Sequence, residues 1–156
     1  YVRYFDWFWT TPVMILSTIY FFEYITYEST SILDITIKDF SYLSLIVICN
    51  FLMLLFGFLG EIKKIYKSIS IIFGFIFLFA TFYLIYDKYV GDKLLNKLLF
   101  FSMLFIWILY GIAFLLPYSK KNTMYNILDI FSKNIYSVFI FLKIYYTSIK
   151  EFHGVI

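Results

Sequence analysis

Two groups of ionisable residues stand out because they lie inside long apolar stretches of the sequence. Asp129 and Lys133 are four residues apart, so they stack on one face of a helix. The second group is a polar stripe near the start of the chain that comprises Arg3, Asp6, Thr10 and Ser17. On a helix the members of this stripe fall within an arc of about 60°. An ionisable side chain in a membrane span costs about 3 kcal/mol on insertion scales, so each group requires a partner.

A lysine enclosed by apolar residues is a ready nucleophile for an aldehyde, and the product is a Schiff base. A protonated Schiff base is a buried cation, which requires a carboxylate counterion. Lys133 between Asp129 and Asp6, with Arg3 nearby, would make such a site close to charge-balanced. The alternative is two local salt bridges that neutralise themselves and lock helix packing.

Flat side chains share one face of a later apolar stretch. Trp107, Tyr110, Gly111 and Phe114 lie within about 100° on a helical wheel, and two rings beside a glycine suit the wall of a flat conjugated ligand. Another face combines Asn50, Met53 and Gly57. For each face alone, packing between helices through small residues is the competing explanation.

The amino-acid composition indicates the class of protein in which these side chains lie. The chain has 156 residues, 63% of them hydrophobic and 15% charged, which excludes an ordinary soluble globule. A net charge of +3 is too small to indicate a nucleic-acid partner. A single cysteine excludes a disulfide framework and a thiolate metal site, and we expect no metal. These features predict an integral, multi-pass protein of the lipid bilayer.

Hydropathy predicts five membrane-spanning helices. They cover residues 2–24, 42–60, 69–86, 98–117 and 124–146. Continuous apolar runs without alternation favour helices over barrel strands, so the fold class is all-α, a helical bundle. Without repeats or flexible linkers, residues 1–156 form a single transmembrane domain. Basic residues are balanced between the two sides, so the charge distribution does not decide the orientation.

Three segments resemble signatures of the microbial (type 1) rhodopsins, in family order. Residues 3–12 (RYFDWFWTTP) resemble the third-helix signature, and residues 107–110 (WILY) resemble the sixth-helix Trp-x-x-Tyr. Residues 128–134 (LDIFSKN) resemble the seventh-helix signature. The resemblance implies helices three to seven of a seven-helix, bacteriorhodopsin-like fold, with the first two helices missing.

The resemblance implies a role for each candidate residue. Lys133 would carry all-trans retinal as a Schiff base, with Asp6 as main counterion and proton acceptor and Asp129 as second counterion. Arg3 would hold both carboxylates ionised, and Thr10 would position the Asp6 carboxylate by a hydrogen bond. The retinal pocket would comprise Trp7, Thr11, Met14, Asn50, Met53, Gly57, Trp107, Tyr110, Phe114 and Ser132.

The departures from the family pattern bear on the mode of transport. Ser17 stands where family pumps commonly carry a carboxylate proton donor, and Lys120 and Lys121 occupy the stretch of the release carboxylates. Gly111 replaces a proline, and Phe114 replaces a tryptophan. Together with the composition, these features resemble the viral rhodopsins of large DNA viruses.

The Asp-Thr-Ser motif (Asp6, Thr10, Ser17) predicts an outward light-driven proton pump. A light-gated cation channel and a sensory rhodopsin are the alternatives, whereas a chloride pump is disfavoured because Asp6 is a carboxylate. The resemblance implies a photoreceptor rather than an enzyme, with retinal, lipid and protons or small cations as partners, and a homo-oligomer (trimer or pentamer).

We also expect the 156 residues to be a fragment, because the sequence starts at Tyr1 only two residues before Arg3. No signal-peptide pattern precedes that arginine. Alone, the fragment should bind retinal weakly or not at all, with the charged faces near Arg3 and Lys133 open to lipid.

Overall fold

The computed structural model describes residues 2–27 and 31–154, and side chains are described up to residue 146 and at residue 149. Within those ranges the chain is almost entirely helical and contains no strand. The helices in chain order are α1 (Val2–Tyr27), α2 (Ile32–Lys38), α3 (Phe40–Glu61), α4 (Lys67–Ile85), α5 (Leu94–Ala113), α6 (Tyr118–Asp129) and α7 (Tyr136–Gly154).

Two π-helical turns extend this pattern. The first, Tyr86–Val90, continues α4, and the second, Ile130–Ile135, joins α6 to α7 without a break. Gly91 ends the first π turn with a φ of 57°, a left-handed conformation that glycine adopts without a steric penalty. Single π turns inside helices are rare and are frequently found at functional sites.

The five predicted spans are confirmed as helices, but several bounds differ: the first helix ends at Tyr27 rather than 24, and the fourth covers Leu94–Ala113 rather than 98–117. The short helix α2 lies in the polar connection after the first span. The last helix begins at Tyr118, six residues before the predicted start at 124. Pro117 precedes it with an extended ψ of 150°. Since proline is well tolerated at a helix start, the lysines after Pro117 continue as helix.

Three helices are long and apolar enough to cross a membrane: Phe40–Glu61, Lys67–Val90 and Leu94–Ala113. The two remaining long helices are α1 and the continuous helix of α6 and α7. These are the helices that carry the ionisable groups singled out in the sequence, and such groups lower the hydropathy of a span. The protein is an integral, multi-pass membrane protein.

The chain forms two compact units, Tyr1–Leu104 and Phe105–Ile156, which divide within α5. In the first unit, α1 and α3 contribute core residues such as Ile15, Phe22 and Ile46, each without exposed surface. Phe82 of α4 is 2% exposed. Leu128 and Tyr125 of α6 are each 4% exposed in the second unit. Each unit therefore has buried apolar side chains on the same helices that carry the candidate site residues.

Candidate functional site

The second unit brings together a lysine, a carboxylate and two hydroxyls. Lys133 Nζ lies 3.8 Å from Asp129 Oδ1, and both side chains are 23% exposed. The Tyr110 hydroxyl donates to the same Asp129 oxygen at 2.5 Å. Tyr110 Oη also lies 2.9 Å from Ser132 Oγ, and Ser132 is buried. We call Tyr110, Asp129, Ser132 and Lys133 the lysine cluster. It places a cation beside a carboxylate that a phenol holds in position.

The second π turn carries two members of the lysine cluster. Ser132 and Lys133 lie inside the turn, and Asp129 immediately precedes it. Since a π turn is wider than an α turn, side chains within it project at angles that differ from those of a regular helix. The helix nevertheless keeps Asp129 and Lys133 within ion-pair distance. The predicted Asp–Lys pair is therefore present, and it forms in a locally widened helix.

Aromatic rings of α5 pack on α6 next to the lysine cluster. Tyr110 stacks on Tyr125 with ring centroids 5.8 Å apart and an interplanar angle of 26°. Trp107 and Phe114 are 5% and 6% exposed, as expected for inward-facing rings. Lys121 is also buried, and its ammonium lies 5.6 Å from the centre of the Phe114 ring. We call Trp107, Tyr110 and Phe114 the aromatic wall, and the Lys121 ammonium lies near its Phe114 end.

Tyr125 was not named in the sequence analysis, and Lys121 was named only as occupying the stretch of the release carboxylates. Both continue the four-residue spacing backwards from Lys133 and Asp129, so they belong to the same helical row. That repetition was the signal that could have identified them. Lys121 was instead expected to lie in a polar connection between spans.

In the first unit, a hydrogen-bonded chain links α1 to α3 at the predicted pocket. Asn50 Nδ2 donates to Thr11 Oγ1 at 2.9 Å, and the Thr11 hydroxyl donates to the carbonyl oxygen of Trp7 at 2.8 Å. All three side chains are buried, and Asn50 has no exposed surface. Among the described residues, no donor reaches Asn50 Oδ1. The structure thus brings together three predicted pocket residues through polar contacts that the sequence did not predict.

Gly57 faces a residue that the sequence analysis did not consider. A Cβ at this position would lie 2.9 Å from the hydroxyl oxygen of Tyr4, closer than real side chains approach. The Tyr4 ring packs edge-on against Trp7 and Phe58, with ring centroids 5.1 and 5.8 Å apart. Gly57 therefore makes room for an aromatic contact between α1 and α3. A contact of Gly57 with a ligand stays a prediction.

The polar stripe of α1 is less enclosed than the lysine cluster. Arg3 and Thr10 are half-buried, whereas Asp6 and Ser17 are exposed. The Thr10 hydroxyl donates to the main-chain oxygen of Asp6 at 3.0 Å, which differs from the expected bond to the carboxylate. Threonine in a helix commonly donates to the carbonyl four residues earlier, and this local bond uses the only hydroxyl hydrogen. Met14 and, on α3, Met53 are half-buried.

Metal binding finds no support in the part of the chain that the structure describes. No group of three or more His, Cys, Asp or Glu side chains is placed there to hold a metal ion.

A comparison with protein families identifies the chain. The model of the bacteriorhodopsin-like proteins matches residues 1–146. The chain belongs to the bacteriorhodopsin-like family. This family implies a retinal chromophore. The half-buried Lys133, paired with Asp129, which accepts a hydrogen bond from Tyr110, fits such a group.

A solved structure agrees with the family assignment. The bacteriorhodopsin-like chain is similar to the crystal structure of the viral rhodopsin OLPVRII, with a TM-score of 0.82 and 30% sequence identity. The match covers 94% of this chain and 66% of the viral rhodopsin, so this chain spans about two thirds of that protein's length. The predicted likeness to the bacteriorhodopsin-like viral rhodopsins is confirmed. No curated protein sequence matches the chain.

Proposed function

We propose that Lys133 binds all-trans retinal as a Schiff base and that the protein is a light-driven, outward proton pump. The observation that carries the proposal is the lysine cluster, in which Lys133 Nζ lies 3.8 Å from Asp129 Oδ1. A cation formed at the Lys133 nitrogen has its counterion beside it. The bond from Tyr110 at 2.5 Å orients that counterion and spreads its charge.

The aromatic wall gives the proposed pocket its shape. Trp107 and Phe114 are buried and, with Tyr110, supply flat aromatic surface on one face of α5 and the residues that follow it. Trp7 and Thr11, both buried, are further residues that the family resemblance assigns to retinal binding. When bound, retinal supplies a light-driven isomerisation that alters the proton affinity at this nitrogen. The protein supplies the groups that accept and return the proton.

Asp6 is the proposed proton acceptor. We assign it this role from the resemblance of residues 3–12 to the third-helix signature, in which Arg3 and Asp6 occur at the family spacing. In this proposal Asp6 accepts the proton that the Lys133 nitrogen loses, so that both groups become neutral. The outward direction is the one that the family resemblance implies. Ser17 has no carboxyl group, so the proton returns through water or hydroxyls and the cycle slows at high pH.

The attachment site is tested by replacing the lysine. The full-length protein is expressed with all-trans retinal, and its visible absorption is compared for wild type, Lys133→Ala and Lys120→Ala. Lys120 is an exposed lysine of the same helix and serves as the control. We expect the band to disappear only in Lys133→Ala. An unchanged band in Lys133→Ala would show that the attachment site is wrong.

The transport mode is tested separately, by photocurrent at zero applied voltage. A steady outward current supports the pump. A current that reverses with the ion gradient supports a light-gated cation channel, and a pigment without current supports a sensory rhodopsin. Both of the latter results would refute pumping while leaving the attachment of retinal intact.

A further inference from the structure

Tyr125 is a buried aromatic residue of α6 that the proposed mechanism does not use. It lies four residues before Asp129, on the same helical row, so it is close to the lysine cluster without being a member of it. Its ring stacks on the ring of Tyr110, with an interplanar angle of 26°. Tyr110 belongs to α5, and both residues belong to the second unit, so the stack joins two helices of that unit.

The hydroxyl of Tyr110 is the link in a chain of hydrogen bonds whose direction can be assigned. A phenol has one hydroxyl hydrogen, and that of Tyr110 is donated to Asp129 Oδ1 at 2.5 Å. The Ser132 hydroxyl, 2.9 Å from Tyr110 Oη, must therefore donate to the phenol oxygen. Since successive hydrogen bonds polarise one another, the bond from serine strengthens the bond from the phenol to the carboxylate.

Both bonds of this chain depend on the position of a single atom, Tyr110 Oη. Rotation of the side chain about its Cα–Cβ bond moves that oxygen sideways, and hydrogen bonds weaken steeply as distance and angle depart from their optimum. The two bonds restrain the hydroxyl end of the ring, whereas the stack on Tyr125 restrains its face. Stacked rings prefer a defined offset geometry, so Tyr125 favours one placement of the Tyr110 ring over others.

We propose that the Tyr125 ring is a positioning group of the Lys133 site. By stacking on Tyr110 it holds the phenol hydroxyl on Asp129, and Asp129 is the carboxylate that lies 3.8 Å from Lys133 Nζ. Tyr125 thus acts through Tyr110, and its ring carries the role rather than its hydroxyl. The proposal rests on the proposed attachment of retinal at Lys133, because the colour of the pigment depends on the charge beside that nitrogen.

The competing explanation is that Tyr125 only fills space between α5 and α6. Loss of the ring would then lower the stability of the protein in the same way whether residue 110 is tyrosine or phenylalanine. If the ring acts through the Tyr110 hydroxyl, its effect on the absorption band must disappear once that hydroxyl has been removed. A double-mutant cycle distinguishes these two cases.

The test measures the visible absorption band of the full-length retinal-bound protein in the dark. We expect Tyr125→Phe to match wild type, since it keeps the ring. Tyr125→Leu should shift the band in the same direction as Tyr110→Phe, and by no more, because losing the stack can at most remove the bonds that the Tyr110 hydroxyl makes. The double variant should match Tyr110→Phe alone. Tyr118→Leu is the matched control, since it removes an exposed ring of the same helix and should leave the band unchanged.

Three results overturn the proposal. One is a band in Tyr125→Leu that matches that of Tyr118→Leu. Another is an equal shift by Tyr125→Leu in the wild-type and Tyr110→Phe backgrounds, which indicates packing alone. The third is an unshifted band in Tyr110→Phe, because the hydroxyl then has no influence for Tyr125 to transmit. A visible band that survives Lys133→Ala is a separate result, which overturns the proposed attachment of retinal.

A measurement that needs no retinal covers the case in which Tyr125→Leu does not form a pigment. The full-length protein is labelled with ¹³C at the tyrosine ring carbon that bears the hydroxyl, and its solid-state NMR spectrum is recorded in lipid. The signal of Tyr110 is identified by its loss in Tyr110→Phe. We expect this signal to move in Tyr125→Leu and to stay in place in Tyr125→Phe. A Tyr110 signal that is unchanged in Tyr125→Leu refutes the positioning role.

Discussion

The Tyr110 hydroxyl should contribute measurably to the stability of the retinal-bound protein. It donates to Asp129 at 2.5 Å and contacts Ser132 at 2.9 Å. A hydrogen bond to a charged group contributes about 1.5–3 kcal/mol, and Tyr110→Phe removes this bond while keeping the ring. The stacking on Tyr125 is preserved. With a loss of about 2 kcal/mol in the barrier, thermal bleaching at a fixed temperature should become about thirtyfold faster.

The assay follows the decay of the visible band at a temperature where wild type bleaches over hours. Tyr118→Phe is the matched control, because Tyr118 lies in the same unit, is 74% exposed and keeps its ring beside Lys121. A double-mutant cycle with Ser132→Ala separates the contribution of the serine from that of the carboxylate. If Tyr110→Phe and Tyr118→Phe bleach at the same rate, the hydroxyl does not stabilise Asp129 as argued.

Three further substitutions test the first unit. Thr11→Val keeps the shape of the side chain but leaves the buried Asn50 amide without its acceptor. We therefore expect the free energy of unfolding to fall by about 1–3 kcal/mol. An unchanged denaturation midpoint would contradict this expectation. Gly57→Ala sets a Cβ 2.9 Å from the Tyr4 hydroxyl oxygen, so it should lower the melting temperature. The decrease should be smaller when Gly57→Ala is introduced into a Tyr4→Phe variant. Equal decreases in wild type and in the Tyr4→Phe variant would rule out that contact. Met14→Gln should shift the absorption band to shorter wavelength, because a polar group replaces a polarisable apolar one beside the expected polyene, and a red shift would contradict the assignment.

The candidate site was most predictable where one helix determined the geometry. The four-residue spacing of Asp129 and Lys133, together with the cost of charge in a membrane, predicted a paired lysine, and the two groups lie 3.8 Å apart. The same periodicity predicted that Trp107 and Phe114 face inward, and both are buried. Helical spacing and hydropathy are local properties, so they can be read from one segment at a time.

Contacts between helices were much less predictable. Periodicity assigned Tyr110 to a pocket wall, but it could not indicate that the hydroxyl donates to Asp129. It placed Asn50 on a face of α3 without identifying Thr11 as its acceptor. These pairs depend on the register in which two helices pack, and that register is set by many side chains together. For the same reason the contact between Tyr4 and Gly57 had no signal in the sequence.

The π turns limit how far a uniform helical wheel can be extended along a span. A π turn adds one residue to the helix, so every later side chain is rotated by about 100° from its expected direction. Lys88 lies inside one π turn and Lys133 inside the other, and each lysine pairs with a carboxylate, Asp39 or Asp129. In both places, therefore, the π turn carries a lysine that forms an ion pair with a carboxylate. For the helix formed by α6 and α7, the faces of side chains after the π turn are therefore taken from the structure.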